Sequence, residues 1–377
     1  MGCFSCYFPW SKEDELGDYE SQEQFKVVFD QHSTSSQPGS ERRNANTFQL
    51  FTNVNDDHQK SAAAAEKFTM KDILSATCNW SPSNKIGQGG FGLVYKGRLK
   101  DGRMVAIKRS RMDQFAPRLG AEFRTEVEML TQVDHLNLVK LIGYLEEGPE
   151  CILVVEYVSN GNLGEHLYGT YGRPLDMRTR LEIAIDIGHA LTYLHLYADR
   201  PIIHRGIKSS NILLTERNRA KVADFGFSRL GPSDAGDTHV STAVKGTAGY
   251  LDPEYLNTYK LHPKCDVYSF GVLLIEFFTG RRPIDMKRMG AERFTPQWTQ
   301  KKFSEGRLVD MLDCKIKKTP ASLSAFHRLV TLAFACTAPQ RTKRPSMKRV
   351  TEVLWDIRKF FLEAHELDQQ GSYESRV

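Results

Sequence analysis

The apolar pattern of this chain changes from strand-like to helical at Asn160-Gly161, and that change limits the folds open to it. Before this point, short β-rich stretches such as "GLVYKGRL", "MVAIKR" and "CILVVEYV" alternate with turn residues, and one helical stretch, "RLGAEFRTEVEMLTQV", interrupts them. After it, "MRTRLEIAIDIGHALTYLHLYA" has helical spacing and "VYSFGVLLIEFFTG" is apolar nearly all round. The sequence therefore predicts an α+β, two-lobed fold, with a small β-rich lobe carrying one main helix and a larger α-helical lobe.

The first 66 residues differ from the rest in composition and charge. They are rich in Ser, Gln, Asn and Asp, lack an apolar period and carry 5 Lys/Arg against 11 Asp/Glu. We predict a disordered acidic arm over 1–66, a folded domain over 67–362 with lobes at about 81–159 and 160–362, and a flexible C-terminal tail over 363–377. Beyond the arm the basic residues are dispersed among acids without an aromatic-interleaved stripe, which argues against nucleic-acid binding.

Cysteine usage and hydropathy place the chain in a reducing compartment. The seven cysteines are odd in number and mostly scattered, so a disulfide framework is not expected. No apolar run reaches the roughly 18 residues of a membrane span, since Glu276 interrupts the nearest one. The N-terminus "MGCFSC" also lacks the basic region and apolar core of a secretory signal. We therefore expect a cytoplasmic protein.

A glycine-rich stretch, Gly87-Gln88-Gly89-Gly90-Phe91-Gly92, is the first motif that suggests chemistry. Alone it is a weak signal because glycines also mark ordinary turns. The β-prone residues after it favour a hairpin whose backbone N–H groups can approach phosphate closely. Lys108 follows in an alternating strand, and Glu126 lies on the next predicted helix. A lysine held by a carboxylate can direct its ammonium toward the phosphates of a nucleotide.

Two oxygen ligands follow farther along the chain, in "IHRGIKSSNILL" and in Asp224-Phe225-Gly226. Asn211 offers a neutral oxygen and Asp224 an anionic one, and Mg²⁺ prefers such ligands beside phosphate and water. Either residue alone is more often a turn former. In this order after Lys108, the two predict a magnesium–nucleotide site.

These motifs together resemble the eukaryotic protein kinase family over roughly residues 68–362. The resemblance implies ATP and Mg²⁺ as cofactors, with Lys108 as the strand lysine, Glu126 as its partner, and Asn211 and Asp224 as the metal ligands. Lys208 resembles the catalytic-loop lysine of Ser/Thr-directed members, and "KGTAGYLDPEY" agrees with that specificity. The implied nucleotide-binding residues are Ile86, Gly87, Gly89, Gly92, Val94, Ala106, Lys108, Leu213 and the hinge from Glu156 to Val158.

The same resemblance implies two structural contacts in the larger lobe. Asp252-Pro253-Glu254 stands where the family has Ala-Pro-Glu, so Glu254 is expected to pair with Arg344. Asp266 is expected to hold the catalytic loop.

Several stretches, among them "KFTMKDILSAT", "DHLNLVKLIGYLEE" and "VVEYVSNGNLGEHL", are similar to plant receptor-like cytoplasmic kinases, nearest to their calmodulin-binding subfamily. This narrower resemblance implies calcium–calmodulin and an upstream receptor-like kinase as partners. The candidate calmodulin segment is "MVAIKRSRMDQFAPRLG", in which Lys108, Arg109 and Arg111 accompany apolar residues. The alternative is that this stretch is simply a strand followed by a basic linker.

Gly206 stands where the family places the catalytic aspartate, which accepts or orients the proton of the substrate hydroxyl. Glycine has no proton acceptor, so we expect weak or absent phosphoryl transfer. Three interpretations remain open: a natural pseudokinase, a variant allele or sequencing change, and compensation by another residue. We consider three functions: an impaired, membrane-associated MgATP-binding kinase, a competent Ser/Thr kinase acting on protein substrates, and a pseudokinase scaffold that binds calmodulin or a receptor.

Arg205 matches the arginine that binds a phosphorylated activation segment in the family. The hydroxyl residues that would carry such a phosphate are Thr238, Ser241, Thr242 and Thr247. The alternative is that they are ordinary loop hydroxyls.

Gly2, Cys3 and Cys6 form a candidate lipidation site at the N-terminus. Gly2 permits myristoylation, but the usual pattern has Ser or Thr where this chain has Cys6. One myristoyl chain binds only marginally and the acidic arm would be repelled by anionic lipid, so a palmitate on a cysteine is also required. We expect a lipid-anchored protein at the cytoplasmic face of the plasma membrane, with plain cytoplasmic residence as the alternative.

Overall fold

The structure is a computed structural model that describes residues 65–89, 92–111, 117–169, 174–232 and 239–374. It has a sheet-based lobe followed by a mainly helical lobe, so the predicted two-lobed α+β fold is confirmed. The predicted arm lies outside the described residues except for positions 65 and 66, and so do the lipidation candidates Gly2, Cys3 and Cys6.

The smaller lobe is built on a six-stranded sheet with the strand order β1-β5-β6-β4-β3-β2. β1 runs parallel to β5, and the other neighbours are antiparallel. The main helix of this lobe, α2, covers Pro117–Thr131. The strands are β1 (Glu66–Lys67), β2 (Lys85–Gly89), β3 (Gly92–Arg98), β4 (Met104–Arg111), β5 (Leu141–Glu147) and β6 (Glu150–Glu156).

A short helix, α1 (Met70–Thr77), closes one face of this sheet. Thr69 and Asp72 cap it reciprocally, each side chain accepting a backbone N–H of the other. Its Ile73 is fully buried in a cluster with Val105 and Ile107 of β4. Burying a side chain of this size contributes about 1.5–3 kcal/mol, so α1 is part of the lobe's core.

The larger lobe packs around one buried helix, α6 (Lys264–Thr279), as its apolar sequence predicts. Three short antiparallel strand pairs occur among the described residues of this lobe: β7 with β10, β8 with β9, and β11 with β12. These strands are β7 (Ile202–Ile203), β8 (Ile212–Leu214), β9 (Ala220–Val222), β10 (Arg229–Leu230), β11 (Val240–Ser241) and β12 (Lys260–Leu261). The other helices are α3 (Leu163–Leu167), α4 (Met177–Leu196), α5 (Pro253–Thr258), α7 (Thr295–Ser304), α8 (Pro320–Cys336) and α9 (Met347–Glu374).

The segment 363–377, predicted as a flexible tail, is helical as far as Glu374, because α9 continues without interruption. Just before this segment, Phe361 of α9 is buried, and the Arg328 guanidinium lies 3.9 Å from the ring centroid of Phe360. The following residues, "LEAHELDQQ", are mostly good helix formers, and no glycine or proline intervenes before Gly371. Packing at Phe361 and local propensity therefore extend the helix beyond the predicted domain end.

The expected Glu254–Arg344 ion pair is present, and Arg344 also makes a closer pair with Asp252. Arg344 Nη1 and Nη2 donate to the two Asp252 carboxylate oxygens at 2.6 and 2.8 Å, whereas the nearest Glu254 oxygen lies 3.9 Å from Nη2. Both members of the close pair are almost fully buried, and Asp252 also caps α5 through the Glu254 N–H. The expected pair with Glu254 is therefore the longer of two, and Asp252 at the N-cap of α5 is a partner that the sequence did not predict.

Asp252→Asn should therefore destabilise the protein far more than Glu254→Gln. Asparagine keeps the cap of α5 but leaves the buried Arg344 guanidinium without its counter-charge, which costs about 3–5 kcal/mol of unfolding free energy. Urea unfolding followed by circular dichroism measures this, with Glu254→Gln as the matched control expected to change stability by less than about 1 kcal/mol. Equal losses in the two variants would contradict the assignment.

Candidate active site

Lys108 makes two ion pairs, and one of them joins the two lobes. It lies on β4 in the middle of the sheet, and its Nζ is 2.7 Å from Glu126 Oε2 on α2 and 3.1 Å from Asp224 Oδ1 in the larger lobe. Burial alone would lower the pKa of Lys108, but Asp224 and Glu126 reverse this effect and raise its pKa above the ordinary value. The lysine therefore stays a cation at the bottom of the cleft.

Asp224 and Asn211 lie side by side next to this lysine. Asp224 follows β9 in a left-handed backbone conformation with φ 71°. Burial would raise the pKa of its carboxyl, but Lys108 holds that pKa below the ordinary value, so the group is ionised. Asn211 Nδ2 donates to the Gly206 carbonyl at 2.9 Å and lies 3.4 Å from Asp224 Oδ2.

The donor set fits Mg²⁺ only as a shared site. No group of three or more His, Cys, Asp or Glu residues capable of holding a metal occurs within the described ranges. Asn211 and Asp224 would therefore supply two oxygen ligands, and phosphate and water oxygens would complete the octahedral shell that Mg²⁺ requires. Lys208 is buried nearby, and burial lowers the pKa of its ammonium while Asp224 opposes this effect.

The catalytic-loop candidate is held by Asp266 of α6, as the family resemblance implied. This fully buried carboxylate accepts the backbone N–H groups of His204 and Arg205 at 2.8 and 2.9 Å and is 2.9 Å from His195 Nε2. Arg205 has φ 58°, a conformation that costs energy for a residue with a side chain. The two backbone bonds to Asp266 compensate for that cost and fix the path of the loop.

Gly206 is not required by its own backbone. Among the described residues it is absent from those with left-handed φ, so an ordinary L-residue can adopt its conformation. A Cβ there would lie 3.2 Å from the His204 ring and 3.3 Å from Asn211 Nδ2, so these neighbours would have to move by only a few tenths of an ångström. A cavity of about 10 Å³, the size that holds one water, adjoins Gly206 and Thr247. The backbone at position 206 thus permits a residue with a Cβ, provided that His204 and Asn211 shift slightly.

The predicted nucleotide-binding residues lie on the two sides of the cleft. Ile86, Val94 and Ala106 are on the adjacent strands β2, β3 and β4, and Leu213 is on β8 of the larger lobe. Glu156 and Val158 lie where β6 leads from one lobe into the other. The Glu156 side chain bonds Lys221 Nζ and the Lys140 N–H at 2.8 Å each, so its part in binding a base falls to the backbone.

The glycine hairpin brings backbone close to backbone. Gly89 pairs with Gly92 at the end of the β2–β3 hairpin, and residues 90–91 lie outside the described ranges. Gly92 has φ 122°, and a Cβ there would lie only 2.0 Å from the Arg109 carbonyl oxygen, so glycine is obligatory. At Gly87 a Cβ would make only ordinary contacts with Val94. The hairpin therefore depends on Gly92 for its shape.

Sequence reasoning missed a buried cluster around Glu276 of α6. This carboxylate is 1% exposed and accepts the hydroxyls of Tyr168, Tyr250 and Ser209, the last at 2.8 Å. Burial raises the pKa of Glu276, although the three hydroxyl donors oppose the shift. The available signal was a single acid inside "VLLIEFF", because a buried charge requires partners. The cluster joins the catalytic loop, through Ser209, to the segment that contains Tyr250.

Arg205 is engaged inside the fold rather than presented to a phosphate. Its Nε donates to the Phe227 carbonyl, and Nη1 lies 3.3 Å from the Tyr255 hydroxyl. Of the candidate phosphosites, Ser241 is exposed, Thr242 and Thr247 are half-buried, and Thr238 lies outside the described residues. Ser241 lines a cavity of about 480 Å³ together with Arg200 and Arg229.

The candidate calmodulin segment is a core strand over its described part. Met104–Arg111 is β4, hydrogen-bonded to β3 on one side and β6 on the other. Val105 and Ile107 are fully buried, and Arg109 is 2.7 Å from Glu150. Residues 112–116 lie outside the described ranges. Over its described residues the segment is therefore a core strand followed by the start of α2, and the predicted linker lies outside the described residues.

Comparison with known proteins agrees with this geometry. A family model described as "Protein kinase domain" matches residues 80–355. The chain is similar to calmodulin-binding receptor-like cytoplasmic kinases 2, 1 and 3 of Arabidopsis thaliana, with 56%, 52% and 51% identity. The alignments cover 79%, 78% and 78% of this chain and 73%, 62% and 57% of those relatives. None of the helices in the described residues is long and apolar enough to cross a membrane.

The lysine, its two carboxylate partners and the loop fixed by α6 thus occur in a chain most of which matches the kinase domain. The chain belongs to the protein kinase family, among the receptor-like cytoplasmic Ser/Thr kinases.

Proposed function

We propose that this protein binds MgATP and transfers phosphate to protein Ser or Thr residues weakly or not at all. The observation that carries the proposal is a contrast within one site. Lys108, Glu126 and Asp224 are in contact across the cleft, while Gly206 offers no side chain where the family has its proton acceptor. Binding elements are assembled, and one chemical group is absent.

The assembled residues support nucleotide binding in distinct ways. Lys108 would contact the phosphates of ATP, and the glycine hairpin would approach them with backbone N–H groups. Asn211 and Asp224 would hold Mg²⁺, which when bound neutralises phosphate charge. Lys208 is buried close enough to Asp224 and Lys108 to affect their charge balance. The apolar walls from Ile86, Val94, Ala106 and Leu213 would enclose the base.

The absent acceptor determines the expected rate. A positioned general base contributes typically 10²- to 10⁴-fold, which corresponds to about 3–5 kcal/mol of barrier. Positioning and charge neutralisation account for most of the remaining catalysis in phosphoryl transfer, and their residues are present. We therefore propose that any remaining transfer is negligible beside that of an aspartate-containing loop.

A competent Ser/Thr kinase is the second candidate, and a scaffold that acts through its partners is the third. The space at position 206 supports the interpretation that a loop built for a side chain has lost it, since His204 and Asn211 leave room for a Cβ with small shifts. The same space is compatible with a natural pseudokinase that retains nucleotide-dependent conformations. Transfer by the unaltered protein separates the competent kinase from the other two.

Calcium–calmodulin is proposed as a partner because the relatives bear calmodulin-binding names. An upstream receptor-like kinase is proposed from the family resemblance alone. If calmodulin used residues 104–120, β4 would have to leave the sheet, since Val105 and Ile107 are fully buried. That change would also remove Lys108 from Glu126 and Asp224. Calmodulin binding and nucleotide binding would then oppose each other, and by linkage each would weaken the other.

Gly206→Asp should raise phosphoryl transfer by roughly 10²-fold or more, because it restores the proton acceptor. Radiolabelled γ-phosphate transfer to self and to a generic Ser/Thr acceptor measures this with purified protein and Mg²⁺. Gly206→Asn is the matched control, since it adds nearly the same volume without a base, and Lys108→Met sets the background. Transfer by the unaltered protein above that background, with no gain in Gly206→Asp, would contradict the proposal and favour a competent kinase.

MgATP should raise the thermal midpoint of the protein, because a ligand bound only to the folded state stabilises it by about 2.7 kcal/mol at a hundred times its dissociation constant. Asp224→Asn should abolish the part of the increase in thermal midpoint that depends on magnesium. Lys108→Met should reduce the increase both with and without magnesium. Calcium–calmodulin should diminish the rise if it uses residues 104–120, and calcium-free calmodulin is the control. An absent rise in the unaltered protein would refute MgATP binding.

Membrane attachment through the N-terminus is proposed from the sequence of residues 1–6. A protein carrying Gly2→Ala, Cys3→Ser and Cys6→Ser should move from the membrane to the soluble fraction in plant cells, since two acyl chains are needed for stable attachment. Gly2→Ala alone and the two serine changes alone are the matched variants, each expected to release most of the protein. An unchanged distribution of the triple variant would rule out lipid anchoring there.

A further inference from the structure

Positive charge is concentrated in one part of the larger lobe. Residues 281–318, which comprise the α6–α7 loop, α7 and the connection to α8, contain 11 Lys/Arg and 5 Asp/Glu. We call this part the basic surface. Its formal charge of +6 is more than half of the +11 that residues 67–377 carry together. Such a concentration of positive charge attracts negatively charged partners.

The α6–α7 loop adds exposed apolar side chains to this charge. Met286 is 64% exposed, Met289 86% and Phe294 43%, although methionine and phenylalanine are usually buried. Lys287 and Arg288 stand between the two methionines and are exposed as well. Arg288 already pairs with Asp285 at 2.9 Å, so the loop's own acids offset only part of its charge. Cationic and apolar groups side by side suit a partner that is both acidic and apolar.

Arg281 at the base of the same loop has a donor without a hydrogen-bond acceptor in the described structure. Its guanidinium stacks on the Trp298 ring at 3.7 Å from the centroid, and its Nε is buried without an acceptor. Burial lowers the pKa of Arg281, and the nearby Arg288 lowers it further. A negative charge added near the loop would offset the lowering of the Arg281 pKa by burial and by Arg288.

A segment with the complementary chemistry lies in the arm of the same chain. Residues 13–30, "EDELGDYESQEQFKVVFD", contain 7 Asp/Glu and 1 Lys. Their net charge of −6 equals that of all residues 1–66, so the rest of the arm is neutral on balance. The segment also carries the apolar residues Leu16, Tyr19, Phe25, Val27, Val28 and Phe29. Its charge balances that of the basic surface, and its apolar residues match the exposed methionines.

The length of chain between the two makes an intramolecular contact feasible. The 34 residues from 31 to 64 separate this segment from the first described residue. A chain of that length without fixed structure spans about 30 Å, and a folded domain of about 300 residues has a radius of gyration near 19 Å. A tether of this reach gives an effective concentration approaching the millimolar range. A contact too weak to form between separate molecules is then populated.

We propose that residues 13–30 bind the basic surface of their own molecule, centred on Met286 to Met289. The surface adjoins the residues that hold the catalytic loop. Arg282 lies 4.2 Å from the Tyr168 ring centroid, and the Tyr168 hydroxyl donates to Glu276, which also accepts Ser209. A segment bound to the basic surface would therefore lie next to Arg282, which contacts Tyr168 of the Glu276 cluster. This inference is independent of whether Gly206 silences transfer.

Zero-length carbodiimide crosslinking of the full chain, followed by mass spectrometry, tests the contact. The expected products join carboxylates of residues 13–30 to Lys287 within one molecule, and their yield should not change on dilution. Arg288→Glu with Lys301→Glu should reduce the yield at Lys287 roughly fivefold, because the double substitution lowers the net charge of the basic surface by four units. It leaves Lys287, the residue whose crosslinks are measured, unchanged. Raising salt to about 0.5 M should have the same effect, since the screening length shortens.

The matched control is Arg217→Glu with Lys260→Glu, which reverses two exposed cations outside residues 281–318. This control should leave the yield at Lys287 unchanged. An equal loss in the control, or crosslinks spread evenly over lysines of the whole domain, would show attraction without a defined site and overturn the proposal. A yield that falls on dilution would assign the surface to a second copy of the chain and would overturn the intramolecular contact.

Discussion

The ion pairs of Lys108 are the interaction on which the rest of the site depends. A buried ammonium is costly unless counter-charges surround it, and here they come from two lobes: Glu126 on α2 and Asp224 after β9. The sheet places the lysine, α2 places one carboxylate, and the larger lobe places the other. When all three meet, the sheet of the smaller lobe is joined directly to the residue that follows β9. The cleft is thus defined by charge balance as much as by shape.

A single helix, α6, holds the catalytic loop at both of its ends. Asp266 near the start of α6 binds the loop at His204 and Arg205, and Glu276 near its end binds Ser209. Position 206 takes part in neither contact. Replacement of the family's aspartate by glycine therefore removes a chemical group without removing the support of the loop. The contacts that hold the loop are therefore independent of the group that the loop lacks.

The sequence was sufficient to predict the two lobes, the β-strand position of Lys108, its pairing with Glu126 and the role of Asp266, because each depends on local pattern or family motif. It was not sufficient for Asp252, because a family position was assumed where the N-cap geometry of α5 decides which carboxylate turns inward. The extension of α9 was missed because the domain boundary was placed where the family pattern ends. The hydroxyl partners of Glu276 come from three distant segments, and no local pattern brings such segments together.

The short strand β1 gives the arm a mechanical connection to the sheet. β1 is only two residues long and pairs with β5, while the next helix, α1, is inserted into the core of the smaller lobe through Ile73. A force applied along the arm, for instance by a tethered N-terminus, would load β1 in shear against β5 and would then be carried by α1. The load would reach the lobe on the sheet edge opposite to β2. The glycine hairpin would thereby be shielded from tension, and the smaller lobe could follow its tether as one body.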